Sequence, residues 1–429
     1  MVLFVRYCKD FLCNIVNRKN LCRTVFLRLT LPDNATILKV PRRIAKNNPD
    51  LRRFYGYFYH RKKEDLFVHK FNIAIMPGDG IGKEITSPSF KLISQAASTV
   101  GIELNPIEVE AGAELYVRTG EAFPEENFQE AAKADAIYLA AMGLPTVRYP
   151  DGTEVGPQHD LRKRLNLYAG VRPCVTMPGL PLPLRDPRAE KLDFVIVRES
   201  TEGIFASPLA TEKDSEEAAY NLIKITRETS EKLFNYSFKL AESRKKAGKP
   251  GKVTCIDKAN VLSSMFFFRK IFDEVAEKYP DIAKEYCYVD FAAMRMVKRP
   301  WDFDVCPTEN QFGDILSDLA SGLMGGLGMA PSADVGDNNA VFQPCHGTAP
   351  KLVGTGKANP TAMILSGGMM LDYLGTKFAC PDANKIGETI TQAVRNAYAP
   401  GKLLPHELGD TASMDDIFAA VSNELEKLL

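Results

Sequence analysis

Short apolar runs that alternate with longer helical patterns constrain this chain more than any other feature. Phe71 to Met76, Ala136 to Ala141, Phe194 to Val197, Val253 to Ile256 and Val305 to Pro307 each lead into a glycine-rich, polar or helical segment. Runs this short, bounded by turn residues, suit strands better than helices. Strands that alternate with helices predict an α/β architecture whose functional residues sit at strand ends. In the first such unit the run from Phe71 to Met76 breaks at Pro77-Gly78-Asp79-Gly80-Ile81-Gly82, and a helical pattern follows from Glu84 to Val100. These glycines lack the later glycine of the dinucleotide fingerprint, so alone they read as a tight turn. Gly322 to Gly328 and Gly367-Gly368 read as places of close helix packing, and Pro178 to Pro187 as a stiff crossing segment.

A chain of 429 residues exceeds one ordinary core, which points to two domains or a domain pair sharing a cleft. Its 54 basic residues balance 54 acidic ones, so no global field recommends nucleic acid or an anionic membrane as a partner. No apolar stretch approaches the roughly 18 residues expected of a membrane span. Nine cysteines without a C-x-x-C pair fit reduced, mostly buried thiols rather than a zinc site, and hence a cytoplasmic setting. Residues 1–70 stand apart as an extension in which basic residues outnumber acidic ones about three to one. They are expected to be poorly ordered, as a transit peptide to the mitochondrial matrix or as sequence ahead of a true start at Val68. Catalysis is expected not to need them.

The chemistry is concentrated in a few constellations. Asp314 and Asp318 are four apart, so on a helix both carboxylates leave one face, a geometry that suits a hard divalent cation such as Mg2+ or Mn2+. Solvated acids on a helix exterior are the alternative. Asp290, after Tyr288-Val289, is a third candidate ligand. Arg162 and Arg172 bracket Leu165 to Gly170, and Arg198 ends the run Phe194 to Val197. Guanidinium groups fork onto carboxylates, so three of them imply a substrate with several acid groups, unless Glu199, Glu202 or Asp160 absorbs them internally. Lys258 follows a strand and precedes a helix, where neighbouring positive charge could strip its proton. His346 lies in Pro344-Cys345-His346-Gly347-Thr348-Ala349-Pro350, a loop of small residues that lets a flat ligand approach closely.

In this order the pieces resemble the isocitrate and 3-isopropylmalate dehydrogenase family of β-decarboxylating dehydrogenases, from about Phe71 to the C-terminus. The motifs are Pro77-Gly78-Asp79-Gly80-Ile81-Gly82; Leu161-Arg162-Lys163 with Arg172; Arg198-Glu199-Ser200-Thr201-Glu202-Gly203; Asp257-Lys258-Ala259-Asn260-Val261-Leu262; Gly313-Asp314-Ile315-Leu316-Ser317-Asp318; and His346-Gly347-Thr348-Ala349-Pro350 with Asn359-Pro360. The resemblance implies an open α/β sheet that is not the Rossmann fold, in two domains with a cleft between them. Residues 71–167 with 325–429 would form the large cofactor-binding domain, and 168–324 the smaller domain for dimerisation, substrate and metal. It implies oxidation of a polycarboxylate 2-hydroxy acid by NAD or NADP, with loss of carbon dioxide, in a homodimer with shared active sites. Arg162, Arg172 and Arg198 would hold substrate carboxylates, with Gln158, His159 and Asn260 around the rest of the substrate. Asp314 and Asp318 with Asp290 of the other subunit would hold the metal, and Lys258 of the other subunit would assist removal of the hydroxyl proton. His346, Gly347, Thr348, Ala349, Lys351 and Asn359 would bind the cofactor.

Three positions depart from the pattern. Relatives place a tyrosine, the proton donor to the enolate carbon, where this chain has Phe205. Val155-Gly156-Pro157-Gln158-His159 carries neither the leucines of isopropylmalate enzymes nor the serine of isocitrate enzymes, which predicts a polar or compact substituent, as in malate-like or tartrate-like acids. Lys351 replaces the aspartate of NAD-using relatives and could pair with the extra phosphate of NADP. A weakly catalytic or regulatory subunit of a hetero-oligomer is the alternative reading that Phe205 allows.

Overall fold

The computed structural model describes residues 69–207 and 214–429, so the expectations for the N-terminal extension lie outside the described residues except at its last two positions. Those two, His69 and Lys70, already belong to the first strand and correct the expected start at Phe71.

The alternation seen in the sequence becomes one sheet flanked by helices. The elements in order are β1 (His69–Gly78), α1 (Gly82–Ser98), β2 (Ile102–Glu108), α2 (Ala113–Thr119), α3 (Glu125–Lys133), β3 (Ala136–Ala141), α4 (Gln158–Arg164), β4 (Ala169–Val175), β5 (Asp193–Glu199), α5 (Arg227–Lys246), β6 (Lys252–Asp257), α6 (Ser263–Ala276), β7 (Ala283–Tyr288), α7 (Val289–Lys298), β8 (Val305–Thr308), α8 (Asn310–Met324), β9 (Pro331–Val335), β10 (Ala340–Pro344), α9 (Thr361–Lys377), α10 (Pro381–Tyr398) and α11 (Met414–Leu428). The ten strands run β2-β1-β3-β10-β9-β4-β5-β8-β6-β7. Every residue of β3 is buried, as a strand covered on both faces requires.

Pairing is parallel from β2 to β10 and again from β5 to β7, but antiparallel at the three central joints, β10 with β9, β9 with β4 and β4 with β5. The two parallel halves therefore point in opposite directions. The carboxyl ends of β5, β8, β6 and β7 share one rim of the sheet with the end of β9 and the start of β4. The turns after β1 and β10 lie at the other rim.

The turn after β1 is a structural knot. Gly78 and Gly80 have φ of +66° and +58°, which favours glycine, and a Cβ on Gly78 would sit 2.0 Å from the Ala141 carbonyl oxygen. Asp79 between them accepts backbone N–H groups of Ala113 (2.8 Å), Glu114 (2.9 Å) and Gly143 (2.8 Å). Gly367 does allow close packing: a Cβ there would lie 2.0 Å from Ile93 of α1. Of Gly322 to Gly328, Gly328 does allow close packing, since a Cβ there would lie 2.3 Å from Glu407 Oε1, whereas Gly325 and Gly326 take φ of +122° and +109° and stop α8. Glu309 starts the same helix by accepting the N–H groups of Gln311 and Phe312.

Among the described residues, all six cysteines are unpaired thiols. No described helix is long and apolar enough to cross a membrane.

Candidate active site

The strand register builds the site around Gly170. This residue of β4 faces Arg198 of β5 on one side and Asp334 of β9 on the other. A Cβ at Gly170 would lie 2.5 Å from Ser200 Oγ and 3.0 Å from Asp334 Oδ1, so only glycine leaves both neighbours in place. Gly313 does the same one layer out. A Cβ there would meet Arg198 Cβ and Cγ at 2.7 Å, so its absence lets α8 lie against the arginine.

Asp334 is fully buried and was missed in the sequence, although an acid inside the strand-like Pro331 to Val335 demands cationic partners. It accepts from Arg162 Nε at 2.9 Å, Arg172 Nη2 at 2.9 Å and Gln343 Nε2 at 2.7 Å. Burial alone would raise its pKa, but Arg162 and Arg172 outweigh burial and hold the carboxyl far below the usual range. Arg172 also donates to the Ala333 carbonyl at 3.2 Å. The internal acid paired with Arg162 and Arg172 is thus Asp334, and neither Glu199, Glu202 nor Asp160. Among the described residues the two Nη groups of Arg162 keep no partner, and this fork is available to a ligand.

Arg198 donates through Nε to Asn310 at 2.9 Å and through Nη1 to Asp314. Burial and the neighbouring Arg162, opposed by Asp314, bring its pKa down to about 10. Asp318 sits one turn beyond Asp314. Burial and the charge of Asp314 raise its pKa, against the pull of Arg198 and Arg172. Asp314 is half exposed and Asp318 exposed, so the pair lies at the solvent-accessible edge of the arginine cluster, joined to it through the contact of Asp314 with Arg198.

Lys258 and Asp290 are placed elsewhere. Both follow carboxyl ends at this rim, but β6 and β7 lie two and three strands beyond β5. At about 4.8 Å per strand that is roughly 10 Å or more from Arg198. Lys258 Nζ donates to Asp290 at 2.6 Å, and this bond holds the carboxyl below its ordinary range. Among the described residues no group of three or more His, Cys, Asp or Glu side chains could hold a metal ion. One chain thus brings two carboxylates together and leaves the third candidate apart. Asn260, exposed, belongs to the turn with Lys258.

Gln158 and His159 begin α4, and His159 shares a helix face with Arg162 three residues on. Gln158 Oε1 is buried without a hydrogen-bond partner. His159 is open to solvent, yet the surrounding protein and the charges of Arg162 and Arg198 lower its pKa to about 4. Phe205 lies with its ring centroid 5.6 Å from the Arg198 guanidinium.

At the opposite rim a cleft of about 740 Å³ is lined by Ile81, Gly322, Leu327, His346, Ala349 and Asn359, among others. Thr348 fixes the loop: its hydroxyl donates to the Gly143 carbonyl at 2.7 Å, and its carbonyl accepts from Ile81 at 3.0 Å. His346 Nε2 is buried and unpartnered, and burial lowers the pKa of the ring. A Cβ at Gly347 would meet nothing within 4 Å, so the approach is open. Asn359 donates to Glu407 at 2.7 Å, and Lys351 is exposed on the turn after Ala349. Sequence reasoning did not find His406 and Glu407 or the Pro181 to Pro183 wall, because only tertiary folding brings them to the cleft. An apolar cleft with few polar groups, one of them an orphaned ring nitrogen, fits a flat heteroaromatic ligand.

The sequence profile of the isocitrate/isopropylmalate dehydrogenases matches residues 72–421. The chain is 41% identical over 324 residues to a 3-isopropylmalate/3-methylmalate dehydrogenase of Methanocaldococcus jannaschii, covering 75% of this chain and 91% of that protein. It is 38% identical to the 3-isopropylmalate dehydrogenase of Aquifex aeolicus, covering 76% and 91%. The isocitrate dehydrogenase of Methylococcus capsulatus superposes with a TM-score of 0.72 at 32% identity, covering 83% of this chain and 99% of the other. A β-decarboxylating dehydrogenase of Thermococcus kodakarensis gives 0.68 at 32% identity, covering 83% and 96%. The fold and these family matches are those of an oxidoreductase acting on a CH–OH group with NAD. Within that class the chain belongs to the isocitrate/isopropylmalate dehydrogenase family, whose members use NAD and a Mg2+ or Mn2+ ion.

Proposed function

We propose that the chain oxidises a 2-hydroxy acid bearing two or more carboxylates, with a polar or compact substituent at C3, and releases carbon dioxide. One observation carries this: three arginines and an aspartate pair converge at one rim, with the Arg162 fork left open. When bound, the divalent ion would polarise the 2-hydroxyl and stabilise charge left by the departing carboxylate, while NAD takes the hydride. Arg162 and Arg198 orient the carboxylates, with Arg172 fixed beneath them through Asp334. Gln158 and His159 face the C3 substituent, where the unpartnered Gln158 Oε1 favours a hydrogen-bond donor over an isopropyl group. His346, Ala349 and Asn359 line the cleft that would take the cofactor, and Gly347, Thr348 and Lys351 belong to the loop and turn beside it. Residues 71–167 with 325–429 act as the cofactor domain, and 168–324 as the substrate and metal domain.

The working form is a homodimer. Val261, Phe266, Phe291, Met294, Val297 and Ile315 are exposed, and all except Val261 lie on α6, α7 and α8, an apolar display that a second copy would cover. Lys258, Asn260 and Asp290 of that copy then complete the site, with Asp290 as third metal ligand and Lys258 as base for the hydroxyl proton. The unpaired thiols suit the reducing cytoplasm.

The test follows reduced-cofactor absorbance over malate, tartrate, isocitrate and 3-isopropylmalate, with NAD and NADP, with and without Mn2+. Mn2+-dependent turnover of a compact or hydroxylated diacid, with 3-isopropylmalate turned over poorly, is the expected result. Efficient use of 3-isopropylmalate removes the substrate assignment. Binding of acid and cofactor without turnover selects the regulatory-subunit reading that Phe205 allows.

Lys351 adds a prediction on cofactor choice. A charge-assisted bond to the 2′-phosphate contributes about 1.5–3 kcal/mol, so Lys351→Asp should lower the NADP/NAD ratio of kcat/KM by roughly 10- to 100-fold. An unchanged ratio excludes Lys351 from that contact.

A further inference from the structure

Loss of a β-carboxylate leaves an electron pair that must form a C–H bond at C3, so the site has to present a proton. The aromatic ring of Phe205, 5.6 Å from the Arg198 guanidinium, has none to give. Glu199, whose pKa burial pushes up to about 7, keeps its carboxylate as acceptor for Thr201 and Glu202 and cannot turn to a ligand. Cys345 is turned to the Pro331 carbonyl, and Asp314 is engaged by Arg198. His159 is different. Neither ring nitrogen has a partner among the described residues, solvent reaches the ring, and it shares a helix face with Arg162.

We infer that His159 is the proton donor to C3, standing in for a phenol at position 205. The inference rests on the decarboxylating reading of the site. Lys258 of the second copy accepts the hydroxyl proton; hydride leaves C2 for the nicotinamide; the C3–carboxylate bond breaks and carbon dioxide departs. The enolate pair then forms the C3–H bond as the imidazolium N–H breaks, and the neutral ring takes a new proton from the solvent it faces.

The charges around the ring supply the timing. Arg162 on its own helix and Arg198 from β5 oppose the imidazolium, while Asp314 from α8 and Asp334 from β9 favour it. In the free protein the surrounding protein and the arginines prevail. Carboxylates of a bound substrate neutralise both guanidinium groups and bring in negative charge, so the ring protonates when substrate arrives.

The test compares the full-length wild type with His159→Asn and with His159→Asn/Phe205→Tyr on the best acid of the panel. Expected for His159→Asn is an unchanged first-turnover burst of reduced cofactor and steady-state turnover slowed by about 10²-fold. The added phenol should restore at least a tenth of the loss-free rate. In histidine-selective NMR without cofactor or metal, malate should raise the pKa of the one resonance that His159→Asn removes. The inference is overturned if the variant matches wild type, if burst and steady state fall together, if the tyrosine restores nothing, which slow product release would produce, or if malate leaves the pKa in place. A wild type that reduces no cofactor removes the dehydrogenase reading and this inference with it. A wild type that turns over beside an equally active His159→Asn removes the inference alone.

Discussion

Asp318→Asn, the variant of a proposed metal ligand, should lower metal-dependent kcat/KM by about 10³-fold, the size of several kcal/mol of lost Lewis-acid stabilisation, while the fold is retained. The two effects separate because Asp318 is a burden to the isolated chain. Burial and Asp314 raise its pKa, so its contribution to stability is fully present below the unfolded carboxyl range and is lost as pH rises through the folded value. At neutral pH the amide removes one of two like charges at i and i+4, a gain of a few tenths of a kcal/mol. Thermal melting without metal should therefore hold or rise slightly, and Mn2+, which is expected to raise Tm of the wild type, should no longer do so. A variant that keeps both turnover and the Mn2+ shift would show that the helix pair holds no ion.

Asp334→Asn has the largest effect on folding. The carboxylate is buried between Arg162 and Arg172, and removing one partner from such a cluster costs about 3–5 kcal/mol because the remaining charges stay buried. The linkage has the opposite sign from that of Asp318. The folded pKa is depressed, so the stabilisation is present above the unfolded carboxyl pKa of about 4 and fades as pH falls toward the folded value. Urea midpoints at pH 7 should fall sharply in the variant, and the gap from wild type should narrow in acid. Equal midpoints at pH 7 would mean that the arginines find other partners.

How much was legible in the sequence follows from which residues carried the pattern. The strands β1, β3, β5, β6 and β8 contain short, largely apolar runs, and the turn after β1 is spelled out by its glycines. By contrast, β4 holds Arg172 and Pro173, β9 holds Ser332 and Asp334, and β7 is an edge strand with Lys284 and Glu285. Each of these strands is specified by its neighbours rather than by an apolar run, so the antiparallel joints at the middle of the sheet were invisible. The arginines and the aspartate pair could be read because chemistry and spacing coincide in one stretch. Asp334 could not be assigned to them, since 172 and 162 residues separate it from its partners. Gly325 and Gly326 were misread for a related reason: a run of small residues looks alike whether it admits a neighbour or halts a helix.

The helix that begins beside Arg198 and ends at Gly325 also acts as a ruler. Asp314 and Gly322, which lines the opposite cleft, are two turns apart on it, about 12 Å at about 1.5 Å per residue. No three- or four-carbon acid bridges that interval, whereas an extended dinucleotide does. Adding or deleting one turn between Asp318 and Gly322 would leave both ends chemically intact and put them out of step.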